Sequence, residues 1–204
     1  MKWPMTQNAH FWVSLRSEPL RLTGLTISFQ NVEPLLQHNV IKISKKYGKI
    51  DVVLNNVGVN DGVGLDASYE EFMNSLKLNM VSYFLIVKHA LPYLKKSKGN
   101  ILNIGSKVAL TGQGRTSGYA ASKGGVLALT REWAVDLVTY GIRSNAIIIA
   151  ESWTPSYDTW IKTLPDGDKK LKSIVEKIPL ENRMTSPEEI ANVCLFTISD
   201  RSSH

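Results

Sequence analysis

Tyr119 and Lys123 stand four residues apart, and Ser106 precedes them. On a helix a pair at that spacing shares one face, so the ammonium can sit beside the phenol. A hydroxyl, a phenol and an ammonium so grouped can move a proton on and off an alcohol oxygen, which suits hydride transfer. Ordinary helices often produce Tyr-x-x-x-Lys, so the elements around the pair must support the chemistry.

Ser106 closes the apolar run Ile101-Leu102-Asn103-Ile104, and Ile50-Asp51-Val52-Val53-Leu54 is a second such run. Both read as strands buried on two faces of a parallel sheet. The second ends at Asn55-Asn56-Val57-Gly58, on the sheet edge where open α/β proteins bind ligands. Ile142 to Ile149 reads as a third buried strand, and Leu25, Ile27 and Phe29 alternate with polar residues as a short strand should. Residues 1–24 show no clear period.

Between the strands, Leu36, Val40, Ile43 and Tyr47 predict a helix that Gly48 ends. Ser68 and Glu71 form a capping box that opens a long helix over residues 68–97, and its apolar stripe contains Asn79. A carboxamide there is either bonded to buried backbone or catalytic. A second helix runs over 117–139, where Ala120, Ala121, Gly124 and Gly125 allow close approach of a backbone or a flat ligand. Residues 152–182 read as an ordered excursion with two helical stretches, and Ser186-Pro187-Glu188-Glu189 opens a last helix. Alternating strands and helices predict an α/β domain with a parallel sheet layered by helices on both faces.

With 204 residues, 43% of them hydrophobic and 21% charged, the chain holds one ordinary core. No apolar run is long enough to span a bilayer. The net charge of +6 comes from dispersed basic residues without a nucleic-acid-binding pattern, so neither nucleic acid nor membrane is expected as a partner. Four histidines and the single Cys194 show no metal-ligand spacing, so no metal site is expected. A buried thiol and a start unlike a secretory signal point to the cytoplasm.

Taken together, Asn55-Asn56-Val57-Gly58, Asn79, Ser106 and Tyr119 to Lys123 resemble the short-chain dehydrogenase/reductase family, in the family's order and from about Leu25 to His204. Residues 25–204 are thus expected to form a partial domain of that family, with 1–24 unassigned. Four segments resemble a sugar-oxidising branch close to the L-fucose dehydrogenases: residues 59–65, residues 109–114, Ala150-Glu151 before Thr154-Pro155, and residues 177–180.

The resemblance implies a Rossmann-like doubly wound parallel sheet, NAD or NADP as cofactor, and a small alcohol or sugar as substrate. Tyr119 would exchange the substrate proton, Ser106 would bond the reacting oxygen and Asn79 would fix a proton-carrying water. Lys123 would hold the nicotinamide ribose, and with the positive oxidised nicotinamide it would lower the phenol pKa from about 10 toward the working range. Asn55, Asn56, Gly58 and Thr154 complete the implied cofactor set, and Gln113, Glu151 and Trp153 could face the sugar. The two long helices are those that family dimers and tetramers commonly use, so a homo-oligomer is expected.

There are departures. The family opens with a strand, a glycine-rich turn and a helix that receives the pyrophosphate. Here Gly24 is the only glycine before Gly48, and the family's last strand is missing as well. The fold is therefore expected to be incomplete at both ends, with strands that re-pair or leave open edges. Ile149 and Ala150 replace the usual Pro-Gly, and Val57 replaces alanine. Two functions fit these residues: a hydride-transferring oxidoreductase, seen as a truncated form, and a non-catalytic remnant that works by pairing with intact relatives.

Overall fold

The helix cap predicted at Ser68 forms as a complete box, with the Ser68 hydroxyl accepting from Glu71 N–H and the Glu71 carboxylate accepting from Ser68 N–H. Ser186 and Glu189 make the same reciprocal pair at the last helix, with Pro187 in its first turn. These local bonds satisfy N–H groups that no preceding turn can reach.

The computed structural model describes residues 12–15, 18–21 and 32–203. In chain order the elements are β1 (Trp12–Leu15), β2 (Glu18–Arg21), α1 (Val32–Tyr47), β3 (Val52–Asn55) and α2 (Tyr69–Leu76). A π-helical turn (Lys77–Val81) leads into α3 (Ser82–Ser97), β4 (Asn100–Ser106), α4 (Val108–Thr111) and α5 (Ser117–Asp136). After β5 (Arg143–Ile149) come α6 (Pro155–Lys162), α7 (Gly167–Val175) and α8 (Pro187–Ile198). The strand expected at Leu25 to Phe29 lies outside the described residues.

The sheet order is β2-β1-β3-β4-β5. β3 and β4 pair in parallel from Val52↔Asn100 to Asn55↔Asn103, as the two apolar runs predict. Arg143 N–H donates to the Gly99 carbonyl at 3.3 Å, so β5 starts at the same end as β4. The hairpin β1–β2 joins the other edge of β3 antiparallel, with Trp12 opposite Leu54. The segment without a readable period therefore supplies two strands, and the sheet re-pairs at the edge that the sequence leaves open.

Two compact units result, Met1–Ile148 and Ile149–His204. In the first, one cluster joins Leu36, Val40 and Ile43 of α1 with Tyr83, Ile86 and Leu94 of α3. Val53, Ile101, Val126 and Trp133 complete its centre. β4 is buried along its whole length. β5 is different: as an edge strand it is mostly half-buried and Ile148 is exposed, so the expected double burial fails there. In the second unit, Thr185 N–H donates to the Glu151 carbonyl and Trp153 N–H to the Thr185 carbonyl, which ties the segment before α6 to the one before α8.

Candidate active site

β4 outruns β3. Their pairing ends at Asn55↔Asn103, and β4 continues through Ile104 to Ser106. This leaves the Ile104 carbonyl and the Ser106 hydroxyl past the end of the neighbouring strand, where α5 begins. The Ser106 hydroxyl accepts from Val108 N–H at 3.3 Å and hydrogen-bonds the Tyr119 phenol. Two of the residues chosen from sequence spacing thus meet.

Lys123 lies one turn further along α5, buried to 2% exposure, with its ammonium 5.8 Å from the centre of the Tyr119 ring. Its donors point elsewhere. Nζ donates to the Ile104 carbonyl at 2.7 Å and to the Tyr83 hydroxyl at 3.2 Å. Burial lowers the Lys123 pKa to about 8.

The protein's own groups hold the Tyr119 phenol above its ordinary value. Burial pushes its phenol above the ordinary value, the bond from Ser106 draws it down, and the charge of Asp61 raises it again. The lowering expected from Lys123 is not among these causes: burial brings its own pKa to about 8, so it is neutral in the alkaline range where the raised phenol titrates. At neutral pH Tyr119 is a protonated phenol. Asp61, from a segment that resembles those of sugar dehydrogenases, is therefore an electrostatic neighbour of the phenol that spacing alone does not reveal.

Asn79 sits inside the π-helical turn, where Ser82 N–H reaches back five residues to the Lys77 carbonyl. A continuous apolar stripe over 68–97 predicts one unbroken helix, and the turn divides it. Such single turns often mark functional sites. The Asn79 amide oxygen accepts from Val59 N–H at 2.7 Å, and its nitrogen donates to the Val59 carbonyl at 3.0 Å and the Ser75 carbonyl at 3.1 Å. The side chain thus makes the bonds to buried backbone that one of the two readings expects.

Asn79 thereby fixes the loop that follows β3. Gly58 in that loop is exposed, and a Cβ on it would lie 3.1 Å from Asn79 Oδ1 and 3.2 Å from Lys123 Nζ. Asn56 is exposed, whereas Asn55 is buried and donates to Asn103 Oδ1 at 2.8 Å. Asn103 in turn donates to the Thr130 hydroxyl at 2.9 Å, a buried link from β3 through β4 to α5. Asn103 and Thr130 looked like ordinary strand and stripe positions in the sequence.

α5 approaches the divided helix closely. Gly118 N–H donates to the Val63 carbonyl, and a Cβ on Gly118 would meet Ser75 Cβ at 2.8 Å. Of the two glycines expected to admit a neighbour, Gly125 faces Met80 Sδ and Gly124 has open space beside it.

Gln113 lies exposed between Gly112 and Gly114, both at positive φ. Glu151, Trp153 and Thr154 belong to the second unit. There the Thr154 hydroxyl caps α6 by accepting from Tyr157 N–H at 3.2 Å. The Tyr157 hydroxyl donates to Glu151 Oε2 at 3.4 Å, and its ring packs 6.0 Å from Trp153 and 5.2 Å from Trp160. Burial first, and Glu151 second, push the Tyr157 phenol up. Among the described residues no cluster could hold a metal ion, and no helix is long and apolar enough to cross a membrane.

The sequence pattern describing enoyl-(acyl carrier protein) reductases matches residues 33–204. L-fucose dehydrogenase of Bos taurus is 34% identical over 158 residues, which are 76% of this chain and 58% of that enzyme. The 3-oxoacyl-[acyl-carrier-protein] reductase FabG of Thermotoga maritima is 35% identical over 81% of this chain and 65% of its own. The crystal structure of the Cj0485 dehydrogenase superposes with a TM-score of 0.83 at 40% identity, over 88% of this chain and 69% of that one. The chain spans less than two thirds of the length of these two curated relatives. A hydroxyl at the end of β4 that meets a helical Tyr-x-x-x-Lys, matched by a family pattern over most of the sequence, leads to one assignment: the chain belongs to the short-chain dehydrogenase/reductase family.

Proposed function

We propose that the protein is a nicotinamide-dependent oxidoreductase that interconverts a secondary alcohol or sugar hydroxyl and its carbonyl. The observation that carries this reading is the contact between the Ser106 hydroxyl and the Tyr119 phenol at the free end of β4, with Lys123 one turn beyond.

Gly58 supports the fit of NAD or NADP. Without a side chain it leaves open the surface over Asn79 Oδ1 and Lys123 Nζ, which a Cβ would crowd. A bound nicotinamide supplies the hydride acceptor or donor, as in the NAD+-bound xylitol dehydrogenase that shares this fold. The chain's own residues handle the proton. Tyr119, protonated at neutral pH, gives its proton to a carbonyl oxygen in reduction, while Ser106 donates a hydrogen bond to the same oxygen and holds it in line. In alcohol oxidation the proton returns to Tyr119, and the raised phenol pKa favours alkaline conditions. Lys123 has one N–H beyond the two it spends on Ile104 and Tyr83, and that donor is available to the ribose side.

For the substrate we favour an L-fucose-like sugar, on the strength of the bovine relative and of the four segments noted above. Gln113, Glu151 and Trp153 are the proposed sugar-facing residues, and Asn55, Asn56 and Thr154 the further cofactor-side ones. The helical stretches over residues 68–97 (α2, the π-helical turn and α3) and 117–139 are the proposed interface of a homo-oligomer, in a cytoplasmic protein whose residues 25–204 form a partial domain of the family.

Titration of the purified protein with NADH and NADPH, followed by fluorescence or heat, tests the reading. Saturable micromolar binding, with sugar-dependent NADH formation lost in Tyr119→Phe, is expected. A folded sample that binds neither nucleotide would instead support a non-catalytic role in pairing with relatives.

A further inference from the structure

Among the described residues Tyr83 is the largest side chain buried without residual exposure, and it sits in the first turn of α3 after the π-helical turn that holds Asn79. Its hydroxyl lies 3.2 Å from Lys123 Nζ and 3.5 Å from the Ile104 carbonyl, which itself accepts from Nζ at 2.7 Å. The three polar groups form a closed triangle inside the core. The ammonium also stands 5.1 Å from the centre of the Tyr83 ring. Lys123 has no carboxylate partner among the described residues, so its charge rests on a carbonyl, a phenol and the two ring faces near it. Either neutral acceptor is weaker than a carboxylate, and losing one matters for a cation that is 2% exposed.

We propose that Tyr83 is the positioning residue for Lys123: together with the Ile104 carbonyl it seats the ammonium behind Gly58 and leaves one N–H for the cofactor side. The consequence for the reaction rests on the functional reading above; the seating itself does not.

The geometry explains why the seat needs a phenol. Ile104 lies past the end of β3, so its carbonyl is free to accept from the side. One carbonyl fixes one N–H direction of an ammonium that has three, and the side chain can still swivel about it. The Tyr83 oxygen fixes a second direction and thereby sets the third. Gly58 lies beside the seat, since a Cβ there would come 3.2 Å from Nζ. A phenylalanine at position 83 would keep the ring and the packing but lose the oxygen. Tyr83 therefore acts on orientation, which sets it apart from its apolar neighbours Ile86 and Val87 in the same cluster.

Observing Lys123 directly tests the proposal. In protein labelled with 13C at lysine Cε, the Lys123 resonance is identified by its loss in Lys123→Met and followed against pH in the wild type and Tyr83→Phe. Removal of an acceptor disfavours the ammonium, so the Lys123 midpoint should fall by roughly one pH unit in Tyr83→Phe. Coincident midpoints in a folded variant would overturn the proposal. In the unsubstituted protein the Cε protons of Lys123 should show nuclear Overhauser contacts to the Tyr83 ring. Their absence would overturn it whether or not the variant folds.

NADH titration of the same samples separates the two readings. Weakening of several-fold in Tyr83→Phe extends the seat to cofactor binding. A wild type that fails to bind NADH, but in which the Lys123 midpoint still depends on Tyr83, removes the functional reading and keeps the seat. Unchanged midpoints with intact NADH binding do the reverse.

Discussion

The side chain of Asn79 pairs with both polar groups of the Val59 backbone, accepting from its N–H at 2.7 Å and donating to its carbonyl at 3.0 Å. Twenty residues of chain are closed into a loop by one carboxamide, and Gly58 is carried with it.

Replacing Asn79 with Ala leaves the Val59 N–H and carbonyl without these partners. A buried polar group that loses its partner costs about 1–3 kcal/mol, so Asn79→Ala should lower unfolding stability by that amount. Equilibrium urea denaturation checks it, with a shifted midpoint at an unchanged slope. A midpoint equal to wild type would show that the loop does not depend on this clasp.

Lys123 makes stability depend on pH in a defined window. Its folded pKa of about 8 lies below the unfolded value of about 10.4, so between these limits the unfolded chain binds the extra proton. Stability contributed by this group therefore increases as pH rises from 8 toward 10, by an amount on the order of 2–3 kcal/mol. Lys123→Met should flatten the rise. Urea midpoints of both proteins at matched pH values decide the matter, and parallel curves would contradict the burial of this ammonium.

The phenol of Tyr119 is raised by burial and then by Asp61. Asp61→Asn removes the second cause, so its phenolate should form at lower pH than in wild type. Ultraviolet difference titration against Tyr119→Phe isolates that phenol without any substrate. If alcohol oxidation can be followed, its rate limb on the alkaline side should move the same way. A titration indifferent to Asp61→Asn would remove this residue from the site's electrostatics.

Two glycines on one helix should respond oppositely to alanine. At Gly118 a Cβ would strike Ser75 Cβ at 2.8 Å and Val63 Cβ at 3.2 Å, atoms close to the backbone that cannot swing aside. Forced separation of packed elements costs about 1–3 kcal/mol, so Gly118→Ala should destabilise by that order. Gly124 has nothing within 4 Å of the same position, and there Ala should gain up to about 1 kcal/mol from helix propensity. Thermal midpoints of the two variants provide the check, and equal shifts would refute the packing.

The features most legible in the sequence are those with local determinants. The capping boxes at Ser68 and Ser186 need only residues three apart, and both form. The apolar runs of β3 and β4 identify strands without knowledge of their partners. Ser106 and Tyr119 stand out together by order and spacing, and they meet in the fold. The position of the Lys123 ammonium was not legible in the same way, since it depends on Ile104 lying beyond the end of β3 and on Tyr83, which reads as one more stripe residue. β1 and β2 carry no period of their own, and only pairing with β3 makes them strands. Nor does the apolar stripe over 68–97 disclose the π-helical turn, because the apolar residues on either side of it keep an ordinary helical spacing.

That turn also works as a phase adjuster. One residue more than an α-helical turn is inserted between Ser75 and Tyr83, and each residue of helix corresponds to about 100° of rotation. With the insertion in place, Asn79 faces the Val59 loop and Tyr83 faces Lys123. Deleting one residue there would let an unbroken helix form, yet α3 would have to rotate or climb against α1 and β4 to keep its buried face. The irregular turn thus sets the rotation at which one helical stretch holds both the loop and the ammonium.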